Sequence, residues 1–281
     1  IISPEIKGYT PVNEKNEFTV GMDSEFTVSY KTIPKKDIAD AKVSVGTVKP
    51  YDGAQKKPSV TVEYEGRRLT EGTDYTVEYG SNTDTGKGLI TIYGAGDYTG
   101  LKDVEFDIAP ADIGRCNVRL AASSYAYSGK ARTPAVTATM GDIRLTGDDY
   151  TVKYADGRKN VGKYKVTVKG KGNYTGTKTL YYTINPKSTS ISKLTKGKKS
   201  FKASWKKVSS QTTGYQIQYA TSSKFTKGQK SVTIKSYKTT SKNITKLKAK
   251  KKYYVRVRSY KKVGKTTYYS SWSKAKTVKT K

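Results

Sequence analysis

A chain of 281 residues that contains no histidine and only one cysteine lacks the side chains from which most general bases and metal sites are built. Its net charge is +31, and its aromatic residues are 24 Tyr, 5 Phe and 2 Trp. No apolar run approaches the ~18 residues that cross a bilayer, so we expect a protein without catalytic residues, cofactor, metal or membrane span.

Residues 1–37 are predicted to form a partial or N-terminal β segment. The stretch 26–30 alternates apolar and polar side chains, as a half-buried strand does. Pro34 and Asp37 follow it. The chain starts at Ile1 without a signal peptide, so we expect a fragment of a longer protein whose targeting sequence lies upstream.

Residues 38–110 and 111–187 are two copies of one repeat. A glycine motif occupies 94–100 in the first copy and recurs 76 residues later. Alternation of period two, interrupted by Gly, Asn and Asp, predicts an all-β sandwich for each copy. The predicted strands are 60–64, 75–79, 89–93 and 104–108 in the first copy, and 136–138, 150–154, 164–168 and 180–184 in the second. Proline at both joins, Pro110 and Pro186, stiffens them and favours an extended rod.

The glycine motif has two interpretations. Gly94-x-Gly96 after an apolar strand is how a dinucleotide-binding fingerprint begins. However, Gly100 has the wrong spacing for that fingerprint, and the motif is followed by another strand instead of a helix. We therefore expect turns that need positive φ at glycine, with Tyr98 and Tyr174 packing back onto the sheet.

Neither the carboxylates nor the thiol form a candidate catalytic group. Glycosidases use two carboxyl groups, but only Asp74 keeps an acidic counterpart in the second copy, Asp149. Both precede a tyrosine in a predicted turn. Cys116 has no histidine base, so we expect a half-buried residue in the strand 115–118.

The C-terminal domain, residues 188–281, carries nearly all of the net charge. All 23 acidic residues lie at or before Asp156, whereas this domain has 27 Lys and Arg and no acid. Such a field attracts polyanions and is screened by salt. Only Arg256 and Arg258 are arginines, the residue that nucleic-acid readers favour. We therefore expect an anionic cell-wall polymer or a host or dietary glycan rather than nucleic acid, unless the lysines only prevent aggregation of strand edges.

The same domain resembles the fibronectin type III family. The residues that carry the resemblance are Trp205 in the strand 201–205, the strand 214–219, Leu247 six residues before 253–257, and Ser271-Trp272-Ser273, which is expected to open the last strand. The resemblance implies a two-sheet sandwich, which the alternation in 215–219 and 253–257 predicts independently. The family's Pro-Gly before the corner tyrosine is replaced by the lysine-rich 248–252, and the loop 261–265 has no Arg-Gly-Asp.

The two repeats resemble bacterial surface repeats with a Y-x-G…P…G-x-DY-x-V-x-Y…G-x-Y-x-G pattern. Such repeats lie beside fibronectin-like domains in secreted or wall-attached proteins of gut Firmicutes, which are Gram-positive. The resemblance implies Ig-like sandwiches and a spacer or adhesive role in an extracellular, secreted or cell-wall-associated protein.

The function predicted from these features is that of a non-catalytic, monomeric spacer or adhesion rod with electrostatic binding to anionic wall polymers or glycans. The alternative is a carbohydrate-binding accessory region of a secreted glycoside hydrolase or other enzyme. The candidate ligand-binding residues are Tyr260, Lys261, Lys262, Tyr268 and Tyr269. The three tyrosine rings would stack on sugars if they lie off the core face, and otherwise they serve cross-strand packing.

Overall fold

The computed structural model of the protein describes residues 3–12, 28–226 and 228–281. Its described part forms two compact units, residues 1–111 with 172–174, and residues 112–171 with 175–281. The predicted domain boundaries at 38, 111 and 188 stay predictions. Residues 26–27 of the predicted strand 26–30 lie outside the described residues.

The first unit contains an N-terminal hairpin and the first repeat. Its strands are β1 Tyr9–Pro11, β2 Tyr30–Thr32, β3 Lys36–Asp37, β4 Lys42–Val45, β5 Val60–Tyr64, β6 Arg67–Arg68, β7 Tyr75–Tyr79, β8 Gly86–Gly94, β9 Tyr98–Thr99 and β10 Leu101–Ile108. β1 pairs with β2, and the repeat has sheets of order β4-β5-β6 and β10-β8-β7. β3 pairs in parallel with β9, with Lys36 opposite Tyr98.

The second repeat has the same two-sheet arrangement with one additional strand, at 124–126, which pairs in parallel with its last strand. Its strands are β11 Ala111–Asp112, β12 Asn117–Leu120, β13 Ser124–Ala126, β14 Val136–Met140, β15 Ile143–Arg144, β16 Tyr150–Tyr154, β17 Gly162–Gly170, β18 Tyr174–Thr175 and β19 Thr177–Asn185. The sheets have the orders β12-β14-β15 and β13-β19-β17-β16. As in the first repeat, alternate residues of the long strands are buried, for example Val166 and Val168 at 0% exposure.

The glycine motif forms the turn that was predicted. Gly94 N–H donates to Gly100 C=O at 3.0 Å, and Gly96 and Gly100 have φ of 59° and 76°. Tyr98 is 3% exposed because its ring packs into the core. The second copy, 170–176, repeats the hydrogen bond at 3.2 Å and the positive φ of its last two glycines. The dinucleotide interpretation is therefore not needed to explain the glycines.

The acid shared by the two repeats also has a structural role. Asp74 accepts a hydrogen bond from Thr70 N–H at 2.9 Å, and Asp149 accepts one from Thr146 N–H at 2.7 Å. These bonds hold the loop before a central strand. They reach back four and three residues, so they differ from Asx turns, in which the acceptor binds an N–H two residues further on. The turn interpretation of this pair is confirmed.

Short 3₁₀ helices follow β3 and β11, where the sequence predicted none. They span Ile38–Asp40 and Ile113–Arg115. Cys116 is the residue that ends the second one, so its predicted position inside a strand is wrong, and at 5% exposure it is buried instead of half-buried. Burial raises the pKa of its thiol, which keeps it protonated and unreactive at neutral pH.

Residues 188–281, here called the basic domain, form a sandwich of two sheets. The strands are β20 Ile191–Gly197, β21 Ser200–Trp205, β22 Gly214–Ala220, β23 Lys230–Ile234, β24 Ser241–Ile244, β25 Lys252–Val263, β26 Thr266–Tyr269 and β27 Lys276–Lys279. One sheet has the order β20-β21-β24, and the other has the order β23-β22-β25-β26 with β27 also paired to β25. Trp205, Tyr215 and Val257 lie between the sheets, each at most 3% exposed.

A tyrosine corner closes this sandwich. The Tyr253 hydroxyl accepts a hydrogen bond from Lys248 N–H at 3.1 Å, and Leu247 is buried beside it. Lys246 and Lys250 take positive φ, 59° and 50°. The lysine-rich segment therefore makes the corner without the family's Pro-Gly, because two lysines adopt the left-handed backbone.

Candidate ligand-binding face

The outer face of the larger sheet in the basic domain carries two polar pairs. β22 and β25 are antiparallel, with Gln216 opposite Arg258 and Gln218 opposite Arg256. The residues between them, such as Ile217 and Val257, point into the core, because side chains alternate along a strand. The apolar core thus forces Gln-x-Gln and Arg-x-Arg onto one outer face.

The last strand of this sheet is interrupted, and serine hydroxyls take the place of two of its backbone acceptors. The N–H groups of Ser270 and Ser273 still donate to β25 carbonyls, at 3.0 and 2.8 Å. Ser270 and Ser273 Oγ accept hydrogen bonds from Ser259 N–H and Val257 N–H, both at 3.1 Å. β27 begins only at Lys276, so the prediction that 271–273 opens the last strand is wrong. Because the chain leaves the strand path here, the half-buried Trp272 side chain lies over the outer face of β25.

Each arginine of that face packs on two aromatic rings. The Arg258 guanidinium carbon lies 3.8 Å from the ring centre of Tyr269 and 4.3 Å from that of Trp272. For Arg256 the distances are 4.7 Å to Trp272 and 4.1 Å to Phe225. All four are within cation–π range. We call these five residues the arginine–aromatic cluster.

Hydrogen bonds fix the plane of both guanidiniums. Arg256 Nε donates to Gln218 Oε1 at 2.7 Å, and Arg258 Nε donates to Gln216 Oε1 at 2.9 Å. Burial lowers the pKa of both arginines, yet guanidiniums remain charged in proteins. The basic domain has no acidic residue, so both positive charges lack a counter-charge within it.

Phe225 reaches the cluster through an unusual backbone. Its φ is 53°, in the left-handed region that non-glycine residues seldom adopt. Its side chain is 5% exposed and lies beside Arg256. Backbone strain of this kind persists when the surrounding contacts hold it, and here the contact is with a guanidinium.

The five residues predicted to bind ligand do not form one site. Tyr260 lies opposite Tyr269, and Lys261 lies opposite Tyr268, so the two pairs point to opposite faces of the sheet. Tyr260 is 7% exposed and packs against Tyr269 with ring centres 6.0 Å apart. It offers a sugar no free ring, and one face of Tyr269 is covered by Arg258. Lys262 is exposed.

Of the five residues that do converge, only Tyr269 was predicted to bind ligand. Arg256, Arg258 and Trp272 were noted in the sequence but assigned to no site. The signal that could have found the cluster is the matching period-two pattern of Gln216-x-Gln218 and Arg256-x-Arg258 on neighbouring strands of a sandwich.

Other common kinds of site are absent from the part of the chain that the structure describes. Among those residues, no group of three His, Cys, Asp or Glu side chains is placed to hold a metal ion. No helix there has the length and hydrophobicity needed to cross a membrane.

Comparison with known proteins identifies one domain. Residues 185–276 match the family model of the fibronectin type III domain. None of the curated proteins matches the chain. Among solved structures, the FN1–FN3 domains of chicken CNTN1 are 14% identical, with 85% of this chain and 97% of that chain covered and a TM-score of 0.31. Domains A168–A170 from titin are 13% identical, with 86% and 99% covered and a TM-score of 0.26.

The family match agrees with the geometry of the basic domain. Trp205 is buried in the strand that the resemblance specified, and Tyr253 makes the corner hydrogen bond to Lys248. Residues 185–276 of this all-β protein are therefore a fibronectin type III domain.

Proposed function

We propose that the chain is a non-catalytic modular region of an extracellular, wall-associated or secreted bacterial protein. In this proposal the two repeats are spacers, and the basic domain adheres to an anionic wall polymer or glycan. The supporting observation is the distribution of charge, since residues 188–281 carry 27 Lys and Arg and no acid. Without carboxylates in the same domain, these cations stay available to an external anion.

The surface of the basic domain supports attraction of a long polyanion. Exposed lysines occur on both sheets, for example Lys193 and Lys202 on one and Lys230 and Lys262 on the other. A shallow cavity of about 420 Å³ is lined by further lysines together with serine and threonine side chains. Single exposed ion pairs contribute little, but a polymer can engage many of them at once.

The shared residues of the repeats support the spacer role. Asp74 and Asp149 hold turns, and the glycine motif closes a strand connection. The hydroxyls of Tyr79 and Tyr154 donate to Pro58 C=O and Pro134 C=O at 2.7 and 2.5 Å. The residues that the two copies keep in common are thus used for folding each copy.

The test is binding of the full chain to polygalacturonate, to purified Gram-positive cell wall, to neutral dextran and to duplex DNA at low and high salt. We expect binding to an anionic glycan or wall polymer that weakens steeply as salt rises. Hydrogen–deuterium exchange of the complex should show protection within 188–281 and none within 1–187.

Three results would count against the proposal. Binding to neutral dextran that survives high salt would favour the carbohydrate-binding accessory region instead. Tighter binding to DNA than to every glycan and wall polymer would indicate a nucleic-acid partner. Absence of binding to all anionic polymers would leave the basic domain without an adhesive role.

A further inference from the structure

We infer that the arginine–aromatic cluster is the specific binding site of the basic domain and that it binds the carboxylates of an acidic polysaccharide. The inference rests on the proposed function and deepens it. It assigns recognition to two of the 27 cations and leaves long-range attraction to the lysines.

The first argument is the choice of arginine. The other 25 basic residues of the domain are lysines, and the two arginines both lie in this cluster. A lysine ammonium can supply charge at any surface position, whereas a guanidinium presents a planar fork that matches a carboxylate with two parallel hydrogen bonds. Charge alone would not require arginine at 256 and 258.

The guanidinium forks of Arg256 and Arg258 are held in a fixed orientation but have no anionic partner in the described part of the chain. Gln216 and Gln218 occupy only the Nε atoms of the two arginines. The Nη atoms donate to no acceptor among the described residues, and none of them is a buried atom without a partner. Each of them therefore keeps some exposure to solvent. Because rings and amides hold the guanidinium planes, little side-chain entropy is lost when an anion binds.

The distance between the two arginines and the rings beside them suit an acidic polysaccharide. Arg256 and Arg258 are two residues apart on one strand, which places their Cα atoms ~6.6 Å apart. Two acidic groups of one polymer can thus bind together. The partly exposed rings of Tyr269 and Trp272 lie beside the forks and can contact the C–H groups of a sugar. A guanidinium fork matches carboxylate and phosphate alike, so the carboxylate is assigned from the rings beside the forks, which a sugar ring can contact.

The decisive variant is the double substitution Gln216→Glu and Gln218→Glu. It keeps side-chain size and places a carboxylate next to each guanidinium, so an internal anion competes with the ligand. Its matched control is Lys193→Gln with Lys202→Gln, which lowers the net charge by the same amount on the other sheet. The double substitution Arg256→Lys and Arg258→Lys keeps the charge and removes the forks.

Binding of each full-length variant to oligogalacturonate is measured by calorimetry, and folding is checked by thermal unfolding. We expect Gln216→Glu/Gln218→Glu to weaken binding about tenfold or more while Tm stays at or above that of the wild type. The lysine control should weaken binding about threefold or less. Arg256→Lys/Arg258→Lys should weaken binding as strongly as the glutamates do.

An equal loss of affinity in the glutamate variant and in the lysine control, relative to the wild type, would overturn the inference and leave the proposed function standing. Failure of the wild type to bind any anionic polymer would overturn both. A tenfold loss for polyphosphate but not for oligogalacturonate would show that the cluster binds phosphate and that the carboxylate assignment is wrong.

Discussion

At the scale of single residues, tyrosine hydroxyls are used repeatedly to bind backbone groups. Tyr79 and Tyr154 each bind a proline carbonyl, and Tyr253 binds the backbone of Lys248. A ring that is buried but ends in a hydroxyl can fill a small core and satisfy a loop at the same time. This explains why the chain uses 24 Tyr and only 5 Phe.

Replacing Tyr253 by Phe should destabilise the basic domain by about 1 kcal/mol, because Lys248 N–H loses its partner in a partly buried site. Urea unfolding measures the difference. The control is Tyr254→Phe, whose hydroxyl makes no hydrogen bond among the described residues and whose loss should cost less than about 0.5 kcal/mol. Equal effects of the two substitutions would argue against the corner bond.

An acid-dependent contribution to stability is expected from Asp52. Its carboxylate binds the buried Lys56 ammonium, and this hydrogen bond lowers the pKa of Asp52 below its usual value. A lowered pKa in the folded state stabilises the protein above the unfolded value of ~3.9. That contribution is lost as pH falls through the lower, folded value.

The measurement is the free energy of unfolding between pH 2 and 6 for the wild type and Asp52→Asn. The wild type should lose stability below about pH 4 more steeply than the variant, which has no carboxylate to protonate there. Above that range the variant should be less stable, because the buried Lys56 side chain loses its ion-pair partner. Parallel pH curves would contradict the assignment.

At the scale of strands and turns, the glycine motif depends on close backbone approach as well as on positive φ. A Cβ atom at Gly94 would lie 2.6–2.8 Å from backbone atoms of Thr99, whereas one at Gly72 would meet nothing within 4 Å. Gly72 instead has φ of 82°. Gly94 is therefore required because a side chain would not fit, whereas Gly72 is required because its backbone has a positive φ.

Gly94→Ala should cost about 3 kcal/mol, since the strand connection must open to admit the methyl group. Gly72→Ala should cost about 1 kcal/mol, the penalty of a left-handed alanine. Chemical unfolding of the two variants measures both values. A smaller loss for Gly94→Ala than for Gly72→Ala would show that the motif can relax around a side chain.

Sequence reasoning predicted regular strands well and irregular ones poorly. The strands 60–64, 75–79 and 150–154 have the predicted bounds, because period-two alternation covers their whole length. The 3₁₀ helices were missed, since three residues carry no helical period. The break at 270–275 was also missed, because it depends on two serine hydroxyls that each replace one backbone acceptor.

The candidate site, too, could be predicted from the sequence only in part. Its arginines and Trp272 are visible in the sequence, but their meeting depends on the register between β22 and β25 and on the break before β27. The predicted stacking tyrosines were chosen from alternation alone. Alternation gives the face of each residue but does not show that Arg258 covers the ring of Tyr269.

At the scale of the whole molecule, buried tyrosines make the stability of both units depend on pH in the alkaline range. Burial raises the pKa of Tyr75, Tyr79, Tyr154, Tyr182 and Tyr215. A raised pKa stabilises the folded state below the unfolded value of ~10 and ceases to do so as pH rises through the folded value. The chain should therefore lose stability above pH 10.

A spectrophotometric titration at 295 nm, followed in parallel with circular dichroism, tests this expectation. A tyrosine in an unfolded chain ionises at about pH 10. The buried tyrosines should ionise only when the circular dichroism signal of the strands is lost. A single ionisation step near pH 10 with the fold retained would show that the buried hydroxyls reach solvent without unfolding.

The interrupted last strand has a consequence for solubility. β26 and β27 form one edge of the larger sheet of the basic domain, and residues 270–275 separate them. A second chain that tried to add a strand there would meet two short segments, four residues each, instead of a continuous row of backbone groups. Lys274 and Lys276, both exposed, would also repel a like-charged neighbour. The break that positions Trp272 thus also protects the domain from edge-to-edge aggregation.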